Sequence, residues 1–298
     1  MGNQLTLNTG DERRVGLLAA WCRFPVLVAE ALRRQGYHVS CIGVADLADP
    51  QLKEICQDFE WVGWGKLGGA IRYFRRCGIR EATMAGKFHK TLIYQPRVWL
   101  RHMPDWRFIR TFYRYFITHE RDNKDDTLLG ALADAFAADG IVFHPATDFA
   151  PELLVKPGQL AGRPPSANQL KDIEFGWDIA KQMGGLDIGQ SICVKDQGVL
   201  AVEAVEGTDA CILRAGELCQ QGGFTVVKVA KPQQDMRFDV PTVGVRTLRT
   251  MVSAGAKVLA IEGGRTILLD DDAFRQFAEY HKLSVVALAA RPAVGAAA

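Results

Sequence analysis

Short apolar runs alternate with amphipathic stretches along almost the whole chain. In the first half, residues 15–20, 37–45 and 81–85 read as successive strands and 141–144 as a further one. Helical spacing fills the gaps. The segment 24–35 carries Leu27, Ala31 and Leu32 on one face and stops at Gly36, and further helices are expected from about residue 50, at 68–77 and at 124–138, the last ended by Gly140. In the second half Ser166 is placed to cap a helix running to residue 183, with Leu170, Ile173, Trp177 and Ile179 as its core stripe and Gly184-Gly185 as its stop. Residues 190–195 and 198–205 flank Asp196-Gln197 as a hairpin. A strand at 224–229, a helix at 241–253, a strand at 257–261, a tight turn Glu262-Gly263-Gly264-Arg265 into 266–269, a helix at 272–282 and a strand at 285–288 complete the pattern, leaving 291–298 as a loose tail.

Strand and helix alternate, which predicts an α/β protein with a parallel, Rossmann-like sheet. Pro151, Pro157, Pro164 and Pro165, with Gly158 and Gly162, mark the best boundary. The expected organisation is a Rossmann-like N-terminal domain at 1–150, a linker at 151–166 and a C-terminal α/β catalytic domain at 167–298, with a ligand cleft between the domains.

Composition changes this picture little. A chain of 298 residues, 48% hydrophobic and 23% charged, has enough apolar material for a sizeable core. A formal charge of +2 leaves no general nucleic-acid footprint, so no nucleic-acid partner is expected. The seven cysteines are odd in number and never spaced CxxC, which reads as reduced thiols in a cytoplasmic protein. The polar start is not a signal peptide, and no apolar run approaches the ~20 residues that span a bilayer.

Chemistry concentrates between residues 201 and 249. Carboxylates (Glu203, Glu206, Asp209, Asp235 and Asp239) and cations (Arg214, Lys228, Lys231 and Arg237) sit on loops that leave predicted strand ends, and a helix opens at Gly207-Thr208. Carboxylates bind Mg²⁺, lysine and arginine neutralise phosphate oxygens, and free N–H groups at a helix start attract anions. The set therefore suits a phosphate ester or pyrophosphate held with a divalent cation. On spacing alone it equally fits solvated loop residues, with Thr208 or Asp209 capping a helix. Arg265, with Glu262 to hold it in place, is a further phosphate candidate; a structural pair at that turn is the competing reading.

The N-terminal half offers weaker signals. The first strand-to-helix turn, Ala19-Ala20-Trp21-Cys22-Arg23-Phe24-Pro25, has no glycine, which argues against ordinary dinucleotide binding. Arg23 there reads as a surface residue. Lys87 follows the third predicted strand and is placed to face phosphates, whereas His89 reads as a solvated loop residue. Asp125-Asp126 suits Mg²⁺ or a sugar hydroxyl, and equally suits a helix start through the dipole. Residues 97–116 interleave aromatics with arginines, around a break at Pro104. Such a stretch can stack on single strands or lie on an anionic membrane, but a packed helix with its arginines in water explains it more simply.

Three blocks, AVEAVEGTDACILR, KVAKPQQDMRFDVPTVGVRT and VLAIEGGRTILLD, resemble in order and spacing the C-terminal half of the UDP-2,3-diacylglucosamine diphosphatases of the lipid A pathway. The resemblance continues less closely through the N-terminal half. There Gly86 and Lys87 match while His89 and Lys90 depart, Lys124 replaces a glycine before Asp125-Asp126, and only Pro25 is kept of a Gly-rich, Leu-Pro turn. It implies a two-domain hydrolase dependent on Mg²⁺ (or Mn²⁺) that splits a lipid-linked UDP-sugar into UMP and 2,3-diacylglucosamine 1-phosphate. Asp235 and Asp209 are then the expected catalytic residues, and Glu206 and Asp235 the metal ligands. Lys87, Asp126, Gly207, Thr208, Lys228, Lys231, Gln234, Arg237, Glu262 and Arg265 are expected to bind substrate. The implied setting is the cytoplasm with peripheral contact on the inner membrane, and a homo-oligomer stays open. Two other classes also stay open: a Rossmann-type oxidoreductase, and a non-catalytic nucleotide-sugar or lipid-binding protein of the same fold.

Overall fold

The computed structural model describes residues 13–87, 102–116, 125–238 and 240–289. The chain divides into two units, Met1–Ala150 and Pro151–Ala298.

Five strands form the sheet of the first unit: β1 (Arg14–Ala19), β2 (His38–Val44), β3 (Asp58–Val62), β4 (Glu81–Ala85) and β5 (Val142–His144). They lie in the order β3-β2-β1-β4-β5, and every neighbouring pair is parallel. The helices are α1 (Phe24–Arg34), α2 (Leu52–Ile55), α3 (Leu67–Arg76), α4 (Trp106–Phe116), α5 (Asp125–Ala137) and α6 (Ala146–Phe149). Val15, Leu17 and Ala19 of β1 are fully buried, as a central parallel strand requires. The chain lays strands outward from β1 through β2 to β3, then returns to place β4 on the other side of β1. The strand order reverses at β1 and β4, the point where open α/β sheets bind ligands beyond their carboxyl ends.

Strand β3 was not legible in the apolar pattern, because it sits at the sheet edge and alternates acidic with aromatic residues. Its acids are answered locally. Asp58 accepts hydrogen bonds from His38 Nε2 at 2.7 Å and Ser40 Oγ at 2.8 Å, and Glu60 pairs with Arg76 at 2.7 Å. The His38 bond is the largest of the influences that hold the Asp58 carboxyl below its usual range.

The second unit is built on a six-stranded sheet in the order β6-β13-β11-β9-β7-β8, from β6 (Gly158–Ala161), β7 (Ser191–Lys195), β8 (Gly198–Val202), β9 (Thr225–Lys228), β11 (Val258–Glu262) and β13 (Ser284–Leu288). Its centre, β13-β11-β9, is parallel; β6, β7 and β8 pair antiparallel. A two-stranded parallel ladder joins β10 (Thr242–Val243) to β12 (Ile267–Leu268). Alternate residues of the central strands serve opposite faces. Val226, Leu259 and Ile261 join a core with residues of α8 (Thr208–Leu218), α9 (Val245–Ala254) and α10 (Asp271–Tyr280), whereas Val227, Val258 and Ala260 pack with Ile173 and Trp177 of α7 (Ala167–Gly185). Helix α7 comes close to the sheet at Gly176, where a Cβ would stand 3.0 Å from Val194 and Val227 methyls.

Some expectations change here. The proline-rich stretch expected as a linker supplies β6, so it is part of the second sheet. The helix expected from residue 241 is preceded by β10 and begins at Val245, because residues 242–243 pair with β12. Leu170, expected in the core stripe of α7, is exposed, while Ile173 and Trp177 are buried. Ser166 does cap α7, in a reciprocal capping box with Gln169.

Gly86 follows β4 at φ +99°, and a Cβ there would meet Trp21 O at 2.7 Å. Gly86→Ala is expected to cost about 1–3 kcal/mol in urea unfolding, from left-handed strain and the close approach. An unchanged midpoint would show that the turn relaxes freely.

Candidate functional site

At the carboxyl edge of the first sheet, the turns after β1 and β4 are joined backbone to backbone. Ala20 N–H donates to Ala85 O at 2.9 Å, Lys87 N–H to Trp21 O at 2.9 Å, and Trp21 N–H to Lys87 O at 3.2 Å. This fixes Lys87 at the switch point with its side chain exposed. Cys22 holds φ +95°, a strained value for a residue with a Cβ, and burial pushes its thiol pKa up. Arg23 donates to Gln51 Oε1 at 2.6 Å and lies 3.9 Å from Glu30, which supports its reading as a structural surface residue. Asp126, His89, Lys90 and Asp239 lie outside the residues or side chains described.

In the second unit, sheet geometry gathers a polar network at the end of β9. Ser191 on β7 stands opposite Lys228 on β9. Gly207, at φ +83°, turns the chain into α8, and Thr208 is the first helical residue. The Thr208 hydroxyl uses its whole bonding capacity: it donates to Glu203 Oε1 at 2.9 Å, accepts from Lys228 Nζ at 3.1 Å, and meets Ser191 Oγ at 3.2 Å. Lys228 also donates to Thr242 O at 3.4 Å, tying β9 to β10. Glu203 and Lys228 are both buried, so their opposite charges compensate each other within the network.

One strand over, β11 ends in Glu262, which is 1% exposed. Its Oε2 accepts from Lys181 Nζ at 2.7 Å and from Ala230 N–H at 2.8 Å, while Lys181 also donates to Ala230 O at 2.9 Å. Glu262 was expected to hold Arg265; it instead fixes the root of the loop that leaves β9. That loop carries Lys231, Gln234, Asp235 and Arg237. Lys231 N–H donates to Gln234 Oε1 at 2.9 Å, and its Nζ reaches Asp187 at 2.6 Å. Arg237 grips Asp235 through Nη2 at 2.6 Å and Nε at 3.0 Å, with a backbone bond at 3.0 Å. This grip holds the Asp235 carboxyl below its usual range. The Arg237 guanidinium also stacks 4.7 Å from the Phe238 ring centroid.

The remaining acids turn elsewhere. Glu206 accepts from Arg214 at 2.8 Å and from Ala204 N–H at 3.1 Å, so it closes the turn before α8. Asp209 pairs with Arg246 at 2.8 Å and links α8 to α9. Among the described residues, no three His, Cys, Asp or Glu side chains gather as a metal set. Glu206 and Asp235 do not fit a shared cation in this arrangement, since each is already neutralised by its own arginine. Lys181 was missed in the sequence, yet it left a signal. It lies one helical turn after Trp177, so a lysine occupied the buried stripe of α7.

These features define a two-unit α/β protein whose second sheet presents buried acid–lysine pairs and a charged loop at its strand ends. The chain belongs to the LpxI family: the model of the LpxI N-terminal domain matches residues 14–153 and that of the LpxI C-terminal domain residues 156–286. It is 30% identical over 268 residues to the UDP-2,3-diacylglucosamine pyrophosphatase LpxI of Caulobacter vibrioides, covering 88% of this chain and 92% of that relative.

Removing one member of the buried pair should be costly. Glu262→Ala is expected to lose about 3–5 kcal/mol in chemical denaturation, because Lys181 would be left charged and unanswered. The double variant Lys181→Met with Glu262→Met should lose less than the two single losses combined. Additive losses would show that the two groups are not coupled.

Proposed function

We propose that this protein hydrolyses the pyrophosphate bond of UDP-2,3-diacylglucosamine, releasing UMP and 2,3-diacylglucosamine 1-phosphate. The observation that carries the reading is the match of both family models along nearly the whole chain to proteins of the LpxI family, one of them named for this activity. The geometry of the second unit supports it with a carboxylate held ionised, Asp235, on a loop that also carries Lys231, Gln234 and Arg237.

In this reading Asp235 takes the proton from the attacking water, and the bridging P–O bond breaks as the new one forms. Lys231 and Arg237 neutralise charge growing on the phosphoryl oxygens, with Lys228 and the Gly207-Thr208 helix start behind them. Arg265, on the turn after β11, is assigned to the same diphosphate. Asp209 and Glu206 act by holding their arginines and the first turn of α8. Dependence on Mg²⁺ or Mn²⁺ enters with the substrate, since a diphosphate is itself a ligand for these ions. The protein meets its lipid-linked substrate at a membrane surface; no described helix is long and apolar enough to cross one.

Asp235→Asn is expected to abolish UMP release while leaving the thermal midpoint within a few degrees, because the residue lies on a partly exposed loop. Wild-type turnover in that variant removes Asp235 from the mechanism. Tight substrate binding by the wild-type protein without any UMP, with or without added Mg²⁺, would favour a non-catalytic binding protein instead.

The pH profile gives a second check. Arg237 lowers the Asp235 pKa, so the base stays ionised as pH falls through the ordinary carboxylate range. In Arg237→Gln the acid limb of kcat/KM should therefore move to higher pH. A limb that stays in place, or moves down, would contradict Asp235 as the titrating base.

A further inference from the structure

Helix α4 buries one apolar face and exposes another. The inner face packs Phe108 edge-on against Trp64, with ring centroids 5.8 Å apart, and tilted against Phe112 at 4.6 Å. Asp105 sets the helix start, accepting from Phe108 N–H at 2.9 Å and from Gly69 N–H of α3 at 3.2 Å. With that face fixed inward, the opposite one is fixed outward. It presents Trp106, Ile109 and Tyr113, which are 78%, 38% and 47% exposed. Their spacing of three and four residues places them in one stripe along the helix.

Single exposed apolar residues need no explanation, but a continuous stripe headed by a tryptophan does. The helix contains Arg107, Arg110 and Arg114 and no acidic residue. Arg107 is turned toward α5, donating to Ala135 O at 3.1 Å and pairing with Asp139. Arg110 is exposed beside the stripe and also lines an open groove of about 420 Å³ between α4 and the end of α5. Tryptophan and tyrosine favour the level of lipid headgroups, and arginine favours anionic ones. A second copy of the chain fits less well, because a two-fold contact would set this helix against its own image, with no carboxylate on it to answer the arginines.

We propose that the Trp106–Ile109–Tyr113 stripe, with Arg110, docks the protein on a bilayer that carries anionic phospholipid. The inference extends the reading that the substrate is lipid-linked and rests on it for its purpose, but the stripe itself can be tested separately.

The test is flotation of the full-length protein with phosphatidylcholine vesicles, with and without phosphatidylglycerol. Wild type, Trp106→Ser/Tyr113→Ser and Arg110→Glu are compared, each with its thermal midpoint. The wild type should float only with the anionic vesicles and be released by high salt. Each variant should partition about tenfold less or weaker still, fold normally, and keep wild-type hydrolysis of substrate dispersed in detergent. Wild-type flotation that is absent or indifferent to anionic lipid would overturn the proposal, as would variants that float like wild type. An oligomer that the double variant converts to monomer, with vesicle binding unchanged, would make the stripe a self-association face and likewise overturn it. Failure to release UMP alongside anionic-vesicle binding would sink the proposed activity and leave the docking surface standing.

Discussion

Glu262 ends the central strand of the second unit with its carboxylate sealed from water, and that charge must be answered inside the fold. The answer comes from Lys181 on the helix packed across one face of the sheet, and from the backbone N–H of Ala230, two residues beyond the neighbouring strand β9. Lys181 in turn holds the carbonyl of Ala230. One buried ion pair thus clamps both polar groups of a single peptide position, from which the charged loop departs. A buried pair of this kind is weak evidence for stability, since packed apolar residues often serve as well. Its retention here fits the setting of one chain path at the loop root.

Next to this clamp, the Glu203–Thr208–Lys228 network joins strand, turn and helix start by the same means. Charges compensate through a hydroxyl that is itself saturated. Away from the sheet the pairings become more exposed and more local: Asp235 with Arg237, Lys231 with Asp187, Glu206 with Arg214. Exposed pairs are worth little in stability, so in the proposed reading a diphosphate replaces one of their members at small cost. The arrangement grades from a fixed base to exchangeable charges, as suits a site that must be preorganised at its root and adaptable at its surface.

The alternation of strands and helices was legible because parallel strands buried on both faces leave plain apolar runs, as in β1, β9 and β11. Strand β3 left none, since its edge position tolerates Asp58 and Glu60 once His38, Ser40 and Arg76 answer them. Strand β6 was hidden among prolines and glycines, and β10 was too short to show against the helix after it. The candidate residues were found by type, but sequence does not say which acid meets which base. Asp209 was read for catalysis and bridges two helices; Glu262 was read with Arg265 and holds Lys181. Such pairings are set by register across strands far apart in sequence. Lys181 was legible in principle, as a lysine on an apolar helical stripe.

In the proposed reading Lys231 and Arg237 grip the diphosphate of the substrate, with the Lys228 charge behind them. Calorimetric titration of UDP-2,3-diacylglucosamine into Asp235→Asn, compared with the same protein also carrying Lys228→Met, tests it most directly. Losing the Lys228 charge should weaken binding by about tenfold or more, the scale of one charged interaction. Equal affinity in the two proteins, with both folded, would contradict it.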